Sequence, residues 1–544
     1  MQAKPARAFT FEPTPAVLAA RARSRFVPCP VCKNEGSSYL FHRKGVRFVR
    51  CSGCGLVFVN PTGAQLRNYF DIEAFGQHSA PKDRELLQRD FESVLSRVEE
   101  AFSQREGRSP RAVVAAGRTL AAFADGHVAK RVGLRLARAT DAAFEALSTT
   151  GDVGFLDEAL SAPDVDVVVL NELLEACSEP AAVLEAIRGR LSPSAWIVVV
   201  YANIASFPAR MMRRHWPRFF DHKVAFFDVD NLTAMFFRHG YGLERQFAMP
   251  TSYTVGYALE RLDTPVAPVA KAALSAVGAS AVDAQVPTGT HVAVFRQSAV
   301  KPGGAEKLSI IFPVFNEARY VAQVLEALIA KQTRIDKEII VVESNSTDGT
   351  RDIIRGFEGR PGVRVIFEDK PRGKGHAVRT GLAAVSGSII LIQDADFEYD
   401  LDDYDALLEP ILQRQTSFVL GSRSLGLDDW KVRRYANNKV KGFLLNFAQV
   451  MFAKTFNAAY QKDTTDINTM FKVFRTECLH GIDLECDGFN LDIELVCKLV
   501  KHGYAPLEVP VNYVARSFDE GKKISFVRDA LPSYWAILRY RFGE

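Results

Sequence analysis

The chain has 544 residues, 47% hydrophobic and 24% charged, with a net charge of +4. That places it among globular chains with material for several cores, roughly two to four domains by length. It excludes a predicted spanning helix, since no run of about 18 uncharged apolar residues occurs.

The nearest approach to such a run, Phe443 to Tyr460, is broken by Asn446, Gln449 and Lys454. The N-terminus lacks the apolar stretch of a secretory signal. The expected location is therefore the cytoplasm. Residues 1–60 carry ten Lys/Arg against Glu12 and Glu35, a balance of +8 that leaves −4 for the rest. The basic arm, residues 1–26, suits the inner face of an anionic membrane as a peripheral contact, and a solvated tail has the same composition. No nucleic-acid partner is expected, and the pattern assigns no oligomeric state.

Residues 27–60 hold Cys29, Cys32, Cys51 and Cys54 in the spacing C-x2-C-x18-C-x2-C. Two matched pairs of thiols predict a zinc ribbon with a closed, structural Zn2+ site. His42 lies between the pairs and reads as a surface residue. The other four cysteines are scattered, as buried thiols are in a reducing compartment.

From 61 to 300 strands and helices alternate. "RAVVAA", "RVGLRL", "VDVVVL" and "AWIVVVYA" read as strands and "EPAAVLEAIRGRL" as a helix. This predicts an α/β, Rossmann-like domain. The ribbon with "CGLVFVNP", "VDVVVLNELLEACSEP" and "FFDHKVAFFDVDNLTAMFFRHGYGLE" resembles class I S-adenosylmethionine (SAM)-dependent methyltransferases that carry such a ribbon in front. The resemblance breaks at the cofactor pocket. Where that family has a glycine-rich turn, this chain has Gly117, Arg118 and Thr119. Arg135 stands where an acid holds the ribose, and Ala115 replaces the acid of the first strand. The expectation is a methyltransferase-like domain without SAM binding. A bifunctional enzyme and a non-catalytic docking module remain as alternatives.

After the linker "QSAVKPGGAEK" the alternation resumes over 307–544. "LSIIFPVFNE", "KEIIVVESNSTDGT", "VRVIFED" and "SIILIQDAD" are strands that end in polar loops, on the side where open α/β sheets bind ligands. In "LIQDADFEYD" an apolar strand runs into four acids. Asp394 and Asp396, at a spacing of two, can converge on one divalent cation, with Glu398 completing the set.

"FPVFNE", "VVESNSTDGT", "GKGHAVRTG", "QDADFEYD" and "GSR" resemble glycosyltransferase family 2, the GT-A fold, in order and spacing. "DINTMFKVFR" and "FNLDIELVCKLVKHGY" look like its dolichyl-phosphate sugar synthase branch. The resemblance implies an inverting glycosyltransferase. The donor is a UDP- or GDP-linked sugar, and the acceptor a polyprenyl phosphate or a cell-surface glycan. Asp394 and Asp396 correspond to the metal-binding pair for Mg2+ or Mn2+. Pro313, Asn316, Glu317, Glu343 and Ser346 correspond to the nucleoside-binding set, and Lys374 to a phosphate or nucleoside contact. Asp466, Glu494 or Asp492 would orient the acceptor or act as general base. A phosphate acceptor needs no base, and Arg516, Lys522 and Lys523 would then face its anion.

Overall fold

The computed structural model describes residues 27–543 apart from 44–45, 61–80, 117–133, 138–159, 161–164, 189, 193, 220–222, 261–266, 277, 298–303, 426–431, 433–438 and 516–530. The chain forms two compact units, one of Met1–Asn231 with Phe247–Val294, the other of Leu232–Gln246 with Phe295–Glu544.

The first unit opens with β1 (Ser37–Arg43), β2 (Val46–Cys51) and β3 (Val57–Val59), an antiparallel meander. Each cysteine pair occupies a tight turn. Lys33 N donates to Cys29 O at 2.9 Å, and Gly55 N to Cys51 O at 3.1 Å. Lys33 and Gly55 have φ values of 59° and 76°. This left-handed step closes each knuckle, and glycine takes it without steric cost.

Helix α1 (Pro81–Glu106) leads to β4 (Ala112–Ala116), β5 (Leu134–Ala137), β6 (Val165–Asn171), α2 (Pro180–Arg188) and β7 (Trp196–Ala202). These strands lie parallel in the order β5-β4-β6-β7. Every residue of β4, β6 and β7 is buried, which explains why they read as nearly unbroken apolar runs. Phe91, Leu95, Val98 and Phe102 of α1 pack on Val113, Val167 and Trp196. The charged exception, Asp166, accepts from Arg108 and Arg111 at 2.7–3.1 Å. Burial alone would raise its carboxyl, but the two guanidiniums outweigh it and hold the group below the usual carboxylate range.

A short strand, β8 (Ala225–Phe226), returns to the ribbon and pairs with β3. The ribbon sheet therefore has the order β1-β2-β3-β8. Phe48, Val57, Trp216, Phe219 and Phe226 share one core beneath it.

The second unit alternates β9 (Lys307–Val314), α3 (Val321–Ala330), β10 (Asp336–Glu343), α4 (Thr350–Arg355), β11 (Val363–Phe367), α5 (Lys374–Leu382) and β12 (Ile389–Ile392), as the sequence predicts. There follow α6 (Tyr404–Leu412), β13 (Phe418–Ser422), α7 (Lys439–Tyr460), β14 (Lys472–Arg475), α8 (Leu491–Lys501), β15 (Leu507–Pro510) and α9 (Leu531–Phe542). The sheet order is β11-β10-β9-β12-β14-β13-β15. Only β14 runs against its neighbours, pairing antiparallel with β12 and β13. Its Val473 faces Leu391, so the reversal carries Lys472, the first residue of β14, toward the acidic end of β12. Among the described residues no helix is long and apolar enough to cross a membrane.

Candidate active site at the strand ends of the second unit

Gln393 fixes the end of β12. Its backbone N donates to Ile311 O at 2.9 Å, its side chain donates to Asp394 O at 3.0 Å, and it accepts from Tyr404 Oη at 2.9 Å. The acids beyond it thus follow a buried amide held at both its nitrogen and its oxygen. Asp396 is buried and accepts from Glu398 N at 3.0 Å. Glu398 accepts from Tyr513 Oη at 2.9 Å. The carboxylates of Asp394, Asp396 and Glu398 do not gather as one set within 4.8 Å of one another. The structure keeps Asp394 and Asp396 on one turn and gives Glu398 a phenol partner.

Lys374 reaches this turn from the start of α5. Its ammonium stands 3.1 Å from Asp394 Oδ1, 3.3 Å from Asp394 Oδ2 and 3.5 Å from Asp492 Oδ2. Lys472, fully buried, stands 3.1 Å from Asp492 Oδ1. Asp394, Lys374, Asp492 and Lys472 therefore form an alternating row of charges. Burial works against the Lys374 ammonium, but Asp394 and Asp492 outweigh it and hold the group above its usual value. Burial likewise opposes the Asp492 carboxylate, and the two lysines hold it below the usual range.

The glycines flanking Lys374 have a steric reason. Gly373 has a φ of 107°. A side chain at Gly373 or Gly375 would collide with the backbone of Cys486–Asp487. Gly375 N donates to Asp487 O at 2.7 Å. Glu494 shapes that loop from below. It is fully buried and accepts from Glu485 N and Cys486 N, both at 2.8 Å, and from Lys498 Nζ at 2.7 Å. Its oxygens are used in building the loop on which α5 rests.

Asp466 is placed similarly. Its Oδ2 accepts from Arg423 Nε at 2.7 Å and its Oδ1 from Arg423 Nη2 at 2.8 Å, and neither side chain is more than 5% exposed. The carboxylate is set to hold Arg423. The "GSR" motif signals this arginine, but nothing local in the sequence names its partner.

The loops after β9 and β10 are knitted together. Asn316 N donates to Ser346 Oγ at 2.9 Å, Thr347 N to Asn316 Oδ1 at 2.8 Å, and Glu317 N to Thr350 Oγ1 at 2.9 Å. Glu343 ends β10 fully buried and accepts from Ser346 N at 2.7 Å. Pro313 lies beside Val342 in the β9–β10 register. The five candidate nucleoside residues thus belong to one pair of joined strand ends. Arg516, Lys522 and Lys523 lie outside the described residues.

In the first unit, Cys29, Cys32, Cys51 and Cys54 bring their Sγ atoms within 4.8 Å of one another, the only such cluster of potential metal ligands among the described residues. Four thiols this close could hold one tetrahedral ion, whose bonds to sulfur are about 2.3 Å. His42 is exposed and meets Tyr39 Oη at 3.0 Å, away from this role. Gly117, Arg118 and Thr119 lie outside the described residues. Arg135 is seen only as backbone in β5, and Ala115 is buried in β4. At the end of β6 a network absent from the sequence reading appears: Lys223 lies 3.2 Å from Glu172 and 3.0 Å from the buried Glu175.

Residues 309–481 match the family model described as Glycosyl transferase family 2, and residues 79–246 the one described as Methyltransferase domain. Glycosyltransferase AglJ of Haloferax volcanii is 24% identical over 225 residues, 41% of this chain and 68% of the relative. The dolichol-phosphate mannosyltransferase of Pyrococcus furiosus is 26% identical over 220 residues, 40% of this chain and 59% of the relative. The dolichyl-phosphate beta-glucosyltransferase of Dictyostelium discoideum is 26% identical over 252 residues, 43% of this chain and 74% of the relative. Among solved structures, glucosyl-3-phosphoglycerate synthase from Mycobacterium tuberculosis, in complex with Mn2+, UDP and glucosyl-3-phosphoglycerate, aligns at 19% identity. That alignment covers 43% of this chain and 80% of the other, with a TM-score of 0.32. The second unit of this chain thus contains a glycosyltransferase domain of family 2, carried on the same polypeptide as a methyltransferase-type domain.

Proposed function

We propose that the second unit is an inverting, metal-dependent transferase that moves a sugar from a UDP- or GDP-linked donor to a polyprenyl phosphate or a cell-surface glycan. The observation that carries this is the row Asp394–Lys374–Asp492–Lys472 at the end of β12, beside the joined loops of Asn316 and Ser346. Asp394 and Asp396 would hold Mg2+ or Mn2+, which supplies charge neutralisation to the departing nucleoside diphosphate. Lys374 meets the donor phosphates as a point charge. Pro313, Asn316, Glu317, Glu343 and Ser346 form the nucleoside side of the site. Asp466 and Glu494 act by holding Arg423 and the Cys486–Asp487 loop. A phosphate acceptor is its own nucleophile, and Arg516, Lys522 and Lys523 supply cations for it. Similarity to dolichol-phosphate glycosyltransferases supports the lipid acceptor. The ribbon carries structural Zn2+, and the protein works at the inner face of the membrane. The test is a screen of UDP- and GDP-sugars with Mn2+ or Mg2+, with and without polyprenyl phosphate, read as nucleotide release and as glycolipid formed. Failure to bind or turn over any donor overturns the proposal.

The methyltransferase-type domain is proposed to bind no SAM, because Arg118 and Arg135 replace the glycine turn and the ribose acid. Calorimetry on the full chain checks this. Micromolar binding would revive the bifunctional alternative, and its absence favours a docking role for this half.

A further inference from the structure

We infer that Lys374 is the resident counter-cation of Asp394, which the divalent ion must displace, so that metal binds well only together with the nucleotide. This rests on the glycosyltransferase reading of the same site. The geometry gives three reasons. First, the ammonium lies within 3.3 Å of both Asp394 oxygens, so it occupies the face of the carboxylate that a hard cation would take. A cation bonded there shares those lone pairs with Lys374 or replaces it.

Second, Lys374 has somewhere to go. Asp492 Oδ2 is 3.5 Å from the ammonium, and Asp492 is itself fixed by Lys472 at 3.1 Å. The ring of Phe489, its centroid 5.6 Å from Nζ, borders the same space. Lys374 can leave Asp394 without losing an anionic partner, so the switch needs only a side-chain rotation. Its backbone cannot follow, because Gly373 and Gly375 press on the Cys486–Asp487 loop.

Third, an ion at Asp394 and the Lys374 ammonium beside it repel each other at close range. A divalent ion entering beside Lys374 adds two positive charges next to an ammonium that Asp394 already neutralises, and the partial burial of the site keeps solvent from screening that repulsion. A nucleoside diphosphate supplies an anion that both cations can share. It gives the ion oxygen ligands and gives Lys374 a phosphate, so ion and nucleotide favour each other, a coupling that holds in both directions.

The test is Mn2+ binding to the zinc-loaded full chain, followed by electron paramagnetic resonance and calorimetry without nucleotide, with UDP and with GDP. The parent is expected to bind Mn2+ weakly alone and at least about tenfold more tightly with one of the nucleotides. Lys374→Met and Lys374→Gln, two neutral replacements of different polarity, should each bind Mn2+ alone at least about tenfold more tightly than the parent and lose most of the gain from nucleotide. Lys374→Arg, which keeps the charge, should bind Mn2+ alone no more tightly than the parent does. If both neutral variants are folded by thermal melt and bind Mn2+ alone no better than the parent, the inference falls while the metal site stands. If the parent binds no Mn2+ with either nucleotide, the metal reading of Asp394 and Asp396 falls with it.

Discussion

Arg423 donates to both carboxylate oxygens of Asp466, at 2.7 and 2.8 Å, in a pocket closed to solvent. The pair joins the end of β13 to the segment leading into β14. Removing one partner leaves the other charge buried and unpaired, which costs about 3–5 kcal/mol. Asp466→Ala should therefore lower the urea midpoint strongly. Arg423→Met combined with Asp466→Leu should recover a large part of the loss. If Asp466→Ala melts like the parent and only turnover falls, Asp466 works on the acceptor and not as an anchor.

The ribbon makes a stoichiometric prediction. Protein purified under reducing conditions should carry one zinc per chain, read by elemental analysis. Cys51→Ser should lose it and loosen the knuckle that Gly55 closes. Metal-free protein of unchanged stability would show that the four thiols are a chance cluster.

Asp396 is buried, and its carboxylate faces its own turn through Glu398 N. Its electrostatic contribution to the reaction should exceed its contribution to the fold. Asp396→Asn keeps the shape and should reduce sugar transfer by on the order of a hundredfold or more, with a melting temperature within a few degrees of the parent. EDTA should have the same effect on the unmutated chain, and Mg2+ alone should reverse it even where zinc has been stripped. Full activity of the variant with a matching donor and acceptor would exclude Asp396 from the chemistry.

Glu338 sets an acid limit on stability. It accepts from Ser309 Oγ, from Lys307 Nζ at 2.9 Å and from Ser386 N at 2.8 Å. Burial would raise its carboxyl, but these hydrogen bonds outweigh it and hold the group at about 2, against an ordinary value of 4.5. A carboxylate lowered in the folded state contributes stability that is complete above the unfolded value and lost as pH falls through the folded one. Denaturation between about pH 4.5 and 2 should therefore flatten in Glu338→Gln. An unchanged slope there would assign the acid sensitivity to other carboxylates.

The parts of this molecule legible in the sequence are those whose cause is local. Two cysteine pairs specify their own turns, with Lys33 and Gly55 taking the left-handed step. The strand Ile389–Ile392 announces both its burial and its acidic end. The loops of Asn316 and Ser346 could be placed on one sheet edge because alternating strands and helices repeat the same connection. The assignments of Asp466 and Glu494 depended on partners that the sequence does not put beside them. Arg423 lies 43 positions from Asp466, and Glu494 turns toward backbone amides of Glu485 and Cys486, which carry no side-chain signal. The reversal of β14 was equally invisible, since "KVFR" has the same pattern in either direction. It is this reversal that carries Lys472 to Asp492.

The pairing of β3 with β8 also has a consequence in time. Val57 pairs with Phe226, so the ribbon's last partner leaves the ribosome roughly 170 residues after it, a delay on the order of ten seconds at typical synthesis rates. Capture of a metal by the four thiols would need only residues up to Cys54 and would come first. Through that interval the outer rim of β3 stays open, and the ring of Phe48 lacks its neighbours Phe219 and Phe226. An open rim is where nascent chains join one another. A metal bound early by the four thiols would fix the two knuckles before the rim is covered, and the ribbon would then serve as a scaffold on which the later strand closes.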